Sequence, residues 1–227
     1  MPRTVNAEAR AIRREAFVDV ALRLIQSKGY EQMSVQDVLD ELAASRGAFY
    51  HYFESKIALL EAVVDRVVEV ALAAVTPVVT DPELPALEKL ERLFTGIAGW
   101  KAERKELMLA LIEVWCSDDN AIVREKLRRS TVIALVPLLA EIIKEGRAEG
   151  LMSADSPEGA ARAVVSLLQG AQDLALELFL ARQEGAIPFE FVGPSLGAYT
   201  QAIERILGVA AGSLSLMDEA TLRLWFG

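Results

Sequence analysis

Histidine and cysteine occur once each in 227 residues, as His51 and Cys116. One copy of each excludes the usual zinc clusters, which draw several ligands from these residue types, and a lone cysteine cannot close an internal disulfide. Cys116 ends the apolar run Val114-Trp115-Cys116, which reads as a buried thiol in a reducing compartment, not a redox sensor. Long apolar runs are missing too. The longest charge-free stretches are about a dozen residues, several broken by Pro77, Pro137 or Pro194, well short of the ~18–20 needed to span a bilayer. The start, Pro2-Arg3-Thr4 and then an Arg-rich polar run, lacks the form of a secretory signal. No membrane association and a cytoplasmic location are therefore expected. No phosphate-cradling glycine loop is present, and no cofactor is expected.

Positive charge is scarce, with a net charge of −9. Taken alone, that argues against a nucleic-acid partner. Its distribution says otherwise. Residues 1–56 hold eight Arg/Lys and eight Asp/Glu, so the rest of the chain carries the whole excess of acid. Only this first quarter can approach a phosphate backbone without strong repulsion, and from Leu42 to Phe53 it has no carboxylate at all.

Strand alternation is nearly absent, whereas helical periodicity runs from end to end. Phe17, Ala21, Leu24 and Ile25 recur at i, i+4, i+7 and i+8, the spacing of one apolar helix face. Gly29 follows where a C-terminal cap belongs. Ser34 with Asp37 three residues on reads as a capping box that opens a short helix to about Leu42. Ser45 can cap a helix over 46–53, and Ser55 a longer one through Leu59, Leu60, Val63, Val64 and Val67 towards Val75. Thr76 to Pro85, with three prolines, reads as a loop. Further helices are expected at 85–101, 103–117, 119–149 (kinked at Pro137), 156–182, 193–211 and 214–226.

Two short helices joined by a tight turn and followed by a long one can present a surface to DNA. In the helix that starts at Arg46, Phe49, Tyr52 and Phe53 fall at i, i+3 and i+4, so they can anchor one face. Gly47, Tyr50 and His51 take the same spacing on another face, with Arg46 at its N-terminal end. That second face offers hydrogen-bonding groups and no acid, and Gly47 lets a backbone come close. Such a helix fits the major groove, where its first residues reach base edges. Lys56 can meet a phosphate at the N-terminus of the next helix.

In these residues the chain resembles the tetracycline-repressor-like (TetR) family of regulators. Ser-Val-x-Asp, Ser-Arg-Gly-x-Phe-Tyr-x-Tyr-Phe and Ser-Lys stand in that family's order and spacing, with close agreement over residues 12–60. Residues 61–227 agree in architecture only. The resemblance implies an all-α homodimer: a three-helix helix-turn-helix head over residues 1–56, and a helical ligand-binding and dimerisation domain over 57–227. It implies a near-palindromic operator in double-stranded DNA as partner, and a small-molecule effector. By position it assigns DNA contacts to Ser34 and Gln36, to Ser45, Arg46, Gly47 and Ala48, to Tyr50, His51 and Tyr52, and to Lys56. Ala48 replaces a frequent hydroxyl residue. Ala43 stands where the family usually has the turn glycine, and a left-handed alanine there costs on the order of 1 kcal/mol.

Two surfaces are expected beyond the head. The helix at 156–182 is apolar over most of its circumference, including Leu167, Leu168, Ala171, Leu174, Ala175 and Leu178; the next adds Leu196, Tyr199, Ile203 and Ile206. Paired with their symmetry mates, they would make a four-helix interface. Phe94, Trp100, Met108, Leu111, Ile112 and Trp115 form a soft apolar inventory, and the resemblance implies an effector cavity among them, suited to a mainly apolar ligand. The long helix from Lys56 is then expected to be the only covalent link between cavity and head. Glu113 shares a face with Glu103, Glu106 and Ser117 and reads as solvent-exposed.

Gly193-Pro194-Ser195-Leu196-Gly197, after the strand-like Phe189-Glu190-Phe191-Val192, matches the nucleophile elbow of hydrolases. That elbow needs a histidine later in the chain, and His51 precedes it, so no enzymatic activity is expected. The alternative to a DNA-binding regulator is a helical protein-interaction module in which the Tyr50-His51 face meets a protein partner.

Overall fold

The computed structural model describes residues 2–117 and 120–227; the side chains of residues 2–6 and Glu113 lie outside the description, and with the latter the expected exposure of Glu113. Among the described residues ten α-helices follow one another: α1 (Pro2–Lys28), α2 (Val35–Glu41), α3 (Arg46–Tyr52), α4 (Lys56–Val79), α5 (Ala86–Glu103), α6 (Lys105–Cys116), α7 (Ala121–Ala148), α8 (Pro157–Gln183), α9 (Val192–Leu207) and α10 (Glu219–Phe226). No strand occurs among the described residues, so the all-α expectation holds.

Three local expectations need correction. The loop read from Thr76 begins only after α4 has passed through Pro77 to Val79. Val75 and Val79 are buried there, at 2% and 6% exposed, and tertiary packing of that kind outweighs propensity. Thr76 and Thr80 support the turn by donating their hydroxyls to the carbonyls of Leu72 and Thr76, at 2.8 and 3.0 Å. The strand-like Phe189–Phe191 forms a single 3-10 turn. The penultimate helix stops at Leu207, where Gly208 takes φ 69°, and the last starts only at Glu219, behind Asp218, whose side chain accepts from the Thr221 amide.

By contacts the chain forms two compact units, residues 1–69 with 104–127, and residues 70–103 with 128–227. The first unit is built on Phe17, Val18, Ala21, Ile25, Val38, Phe49, Leu59, Leu60 and Val63, all fully buried. Val114 of α6 and Val123 of α7 belong to the same core, and α6 packs against α1. This unit therefore extends past residue 56, the expected end of the head. The chain also passes between the units three times, after residues 69, 103 and 127. The α4 helix is thus not the only covalent link, contrary to expectation.

The second unit centres on Leu90, Leu93, Leu139, Ile142, Ile143, Val164, Val165, Ile203 and Leu207, each no more than 1% exposed. Lys89, itself buried, pairs with Glu145 at 2.6 Å, and the Glu149 carboxylate accepts from the Ala86 amide at the start of α5. A smaller core joins Leu178, Val192 and Phe226, with Leu174, Ala175, Leu196 and Trp225 against it. The exposed cysteine is a correction: Cys116 ends α6 facing solvent.

Candidate nucleic-acid interface

The turn between α2 and α3 begins with a capped helix. The Ser34 hydroxyl accepts from the Asp37 amide at 3.2 Å, and the Asp37 carboxylate accepts from the Ser34 amide at 2.6 Å, the reciprocal capping box. Lys28 donates to the same carboxylate at 2.7 Å. These bonds, Lys28 first, hold the Asp37 carboxyl well below the usual carboxylate range. Its contribution to the turn is therefore present above the ordinary carboxylate pKa and is lost only as pH falls through the lowered value.

Ala43 sits in the turn at φ 46°, left-handed as the missing glycine implied. The amide of Ala44 closes the turn on the carbonyl of Leu39 at 2.9 Å. Because alanine has a Cβ that crowds this conformation, Ala43→Gly should raise stability by about 1 kcal/mol, offset in part by the greater freedom of glycine when unfolded. Chemical denaturation reads this as a higher midpoint at unchanged slope. A lower midpoint would mean that the turn is not strained.

Ser45 then caps α3, accepting from the Ala48 amide at 3.2 Å. The inner face of α3 is an aromatic dock. The rings of Phe17 and Phe49 meet edge-on with centroids 5.8 Å apart, Phe17 meets Phe53 at 6.1 Å, and Tyr52 leans on Phe17 at 5.8 Å. Phe49 is fully buried and Phe53 nearly so. The opposite face looks outward: Arg46, Gly47, Tyr50 and His51 are all exposed, Tyr50 by 59% despite its ring. A Cβ on Gly47 would meet only the Ser45 hydroxyl, at 3.9 Å, so the protein itself leaves the space beside Gly47 open.

The remaining predicted residues divide. Lys56 starts α4 behind the Ser55 cap, whose hydroxyl accepts from the Ala58 amide at 3.0 Å. Its ammonium lies 4.0 Å from the centre of the Tyr30 ring and donates to the Glu31 carbonyl at 3.5 Å. Partial burial lowers its pKa, against the pull of Glu31 and Asp37. Three donors on one ammonium leave capacity for a phosphate. Tyr30, missed in the sequence, supplies this platform; burial first and Glu31 second push its hydroxyl up to about 12. Ser34 and Gln36 are exposed but already engaged: the Ser34 hydroxyl donates to Asp37 at 2.7 Å and the Gln36 amide to Asp40 at 2.7 Å. Ala48 and Tyr52 are half-buried, so each offers an edge only.

The other predicted surfaces fare unevenly. Leu178 and Ile203 are core residues of a single chain, at 5% and 0% exposed, and cannot lie open to a second copy. The ring of Tyr199 occupies the space beside Gly170 on α8 of its own chain, 3.0 Å from where a Cβ would stand. Leu167, Leu168, Ala171, Leu174, Ala175, Leu196 and Ile206 are half-buried. Gln169 and Asp173, which with Arg162, Ser166 and Glu177 recur at helical spacing as a polar stripe on α8, bind the Arg128 carbonyl and guanidinium. Of the six pocket residues, Phe94 and Trp100 belong to the second unit and are buried, at 5% and 8% exposed. Met108, Leu111, Ile112 and Trp115 belong to the first and are half-buried. The hydrolase elbow is absent: Ser195 lies inside α9 and donates to the Phe191 carbonyl at 2.7 Å.

A capped pair of short helices, the second with an exposed acid-free face over an aromatic dock, is the arrangement of a helix-turn-helix. Residues 17–63 match the family described as bacterial regulatory proteins, tetR family. An uncharacterized HTH-type transcriptional regulator in the lacX 3' region of Lactococcus lactis is 40% identical over 57 residues, 25% of this chain and 29% of that one. The HTH-type transcriptional regulator EthR of Mycolicibacterium smegmatis is 28% identical over 144 residues, 56% of this chain and 66% of that protein. The chain thus spans less than two thirds of the length of either curated relative. A solved TetR transcription regulator from Haloarcula marismortui superposes with a TM-score of 0.60 at 20% identity, over 87% of this chain and 97% of that one, and shares the fold.

Proposed function

We propose that this protein is a transcription regulator that binds a near-palindromic operator as a homodimer and leaves it when a small, mainly apolar effector binds. Repression is the favoured sense, because occupying a promoter needs no contact with polymerase. The observation that carries the reading is the outer face of α3, where Arg46, Gly47, Tyr50 and His51 stand exposed with no carboxylate between Leu42 and Phe53. Such a regulator works on a bacterial chromosome, hence in the cytoplasm.

The dimer draws support from α8. It is long and apolar enough to cross a membrane by length and composition, yet only 17% of its most apolar window is buried within the chain. Its polar stripe and its packing on α9 suit a second copy of the chain better than lipid. Two half-sites about 34–36 Å apart or somewhat more follow from two-fold symmetry.

Arg46→Ala should weaken operator binding by about 1–3 kcal/mol and relax base preference, if its guanidinium reads a guanine edge. Lys56→Ala should weaken all sequences alike and lower the salt slope by about one. Titrations of both variants on matched and mismatched duplexes at several salt concentrations test this. A partner-binding module would show neither the slope nor the base preference, and Lys56→Ala without effect would remove the phosphate role. For the effector, Trp100 reports on the second unit and Trp115 on the first. A ligand that releases operator should change tryptophan emission, and loss of the response in Trp100→Phe or in Trp115→Phe tells which unit senses it. A hydrophilic ion as the releasing ligand, or no response from either, contradicts an apolar effector at these residues.

A further inference from the structure

The helix-turn-helix itself is poor in available positive charge. Residues 17–56 hold four cations against six carboxylates, and two of the four are engaged: Arg23 with Glu41 at 3.0 Å and Lys28 with Asp37 at 2.7 Å. Arg46 and Lys56 are left for a polyanion. The match to the family begins only at residue 17, yet α1 begins at Pro2. The fifteen helical residues ahead of the match rise about 1.5 Å each, some 22 Å in all. Residues 1–16 carry four arginines against two glutamates.

Arg10, Arg13, Arg14 and Phe17 recur at i, i+3, i+4 and i+7 and so share one face of α1, while Glu8, Ile12 and Glu15 fall on the other. Phe17 is the residue that docks α3, through Phe49, Tyr52 and Phe53. The arginines continue that stripe away from the dock. The Arg14 guanidinium lies 5.3 Å from the centre of the Phe53 ring, at the C-terminal cap of α3, and that of Arg13 lies 6.0 Å from the Phe17 ring. Arg14 also pairs with Glu15 at 2.9 Å, but Glu15 is shared with Arg66 of α4. All three arginines are exposed. A row of exposed cations thus runs along α1 away from the C-terminal end of α3.

We propose that the leading part of α1 is a second DNA-contacting surface, in which Arg10, Arg13 and Arg14 take backbone phosphates flanking the half-site read by α3. It rests on the reading of α3 as the DNA-recognition helix. Its contacts are with phosphate and not with bases, so it supplies affinity and a longer footprint without sequence preference. The arrangement makes up for the shortage of cations inside the helix-turn-helix.

The test uses the full chain and a duplex that the unaltered protein selects from a randomised pool, beside a random duplex of equal length. Arg10→Gln, Arg13→Gln and Arg14→Gln combined should lower the salt slope by about 2.7, at about 0.9 per phosphate. Between 50 and 200 mM salt the unaltered protein should then lose about 40-fold more affinity than the variant. Hydroxyl-radical protection should vanish from the flanks and persist at the half-site centre, with base preference unchanged. The corresponding triple lysine variant should restore slope and footprint. Arg10→Gln alone, away from the aromatic dock, should lower the slope by about one at an unchanged melting temperature. If the triple glutamine variant melts lower but keeps slope and flanking protection, the arginines only cover the aromatic core and the proposal is overturned. If the unaltered protein selects no duplex, the α3 reading fails and takes the proposal with it.

Discussion

Phe49→Ala is expected to destabilise the first unit by about 3–5 kcal/mol, the range for removing a fully buried phenylalanine ring. Phe49 is 0% exposed and meets Phe17, Tyr50 and Phe53 at ring-centroid distances of 5.8, 5.3 and 5.7 Å. It is the residue by which α3, only seven residues long, is held in place. A helix of that length has no stability of its own in water, so losing the dock should also release the recognition face. Denaturant unfolding should show the loss, and DNA binding should fall far more than truncating an exposed neighbour would cause. A change under 1 kcal/mol would show that other contacts fix α3.

Ala171→Arg should separate the proposed dimer. Ala171 is half-buried on α8 and belongs to none of the three cores, so a single chain can tolerate the longer side chain. A second α8 packed against it could not. Sedimentation at micromolar concentration should change from dimer to monomer, or, if the monomer is unstable, melting should become strongly dependent on concentration. Operator affinity should drop by about 10²–10⁴-fold, because the second half-site is then no longer engaged within one complex. A variant that stays dimeric with full affinity would place the interface elsewhere.

The head was legible in the sequence because each of its signals is local. Ser34 with Asp37, Ser45 ahead of Arg46, and Phe49-Tyr52-Phe53 at helical spacing depend on neighbours within a few residues, and each stands in the structure as read. Even the strain at Ala43 could be named from the residue type that was missing. What escaped depends on partners distant in the chain. An amphipathic α6 does not say whether it packs on α1 or α5, and so the effector residues read as one group fall into two units. Ile203 and Leu178 had the periodicity of a dimer face, but an apolar stripe is the same whether its own chain or a second copy covers it. Pro77 sits within α4 because the burial of Val75 and Val79 outweighs its intrinsic preference. Tyr30 beneath Lys56 left no sequence signal beyond its place after Gly29.

The measurement closest to the central claim, that the outer face of α3 enters the major groove, is operator titration of Gly47→Ala alongside its thermal unfolding. Gly47 lies in a helix with open space for a methyl group, so stability should stay level or rise by up to about 1 kcal/mol. Affinity for the selected duplex should nevertheless fall about tenfold or more, because the added carbon occupies room a base edge needs. A stable variant that binds as tightly as the unaltered protein would contradict the claim, and α3 would have to face something other than DNA.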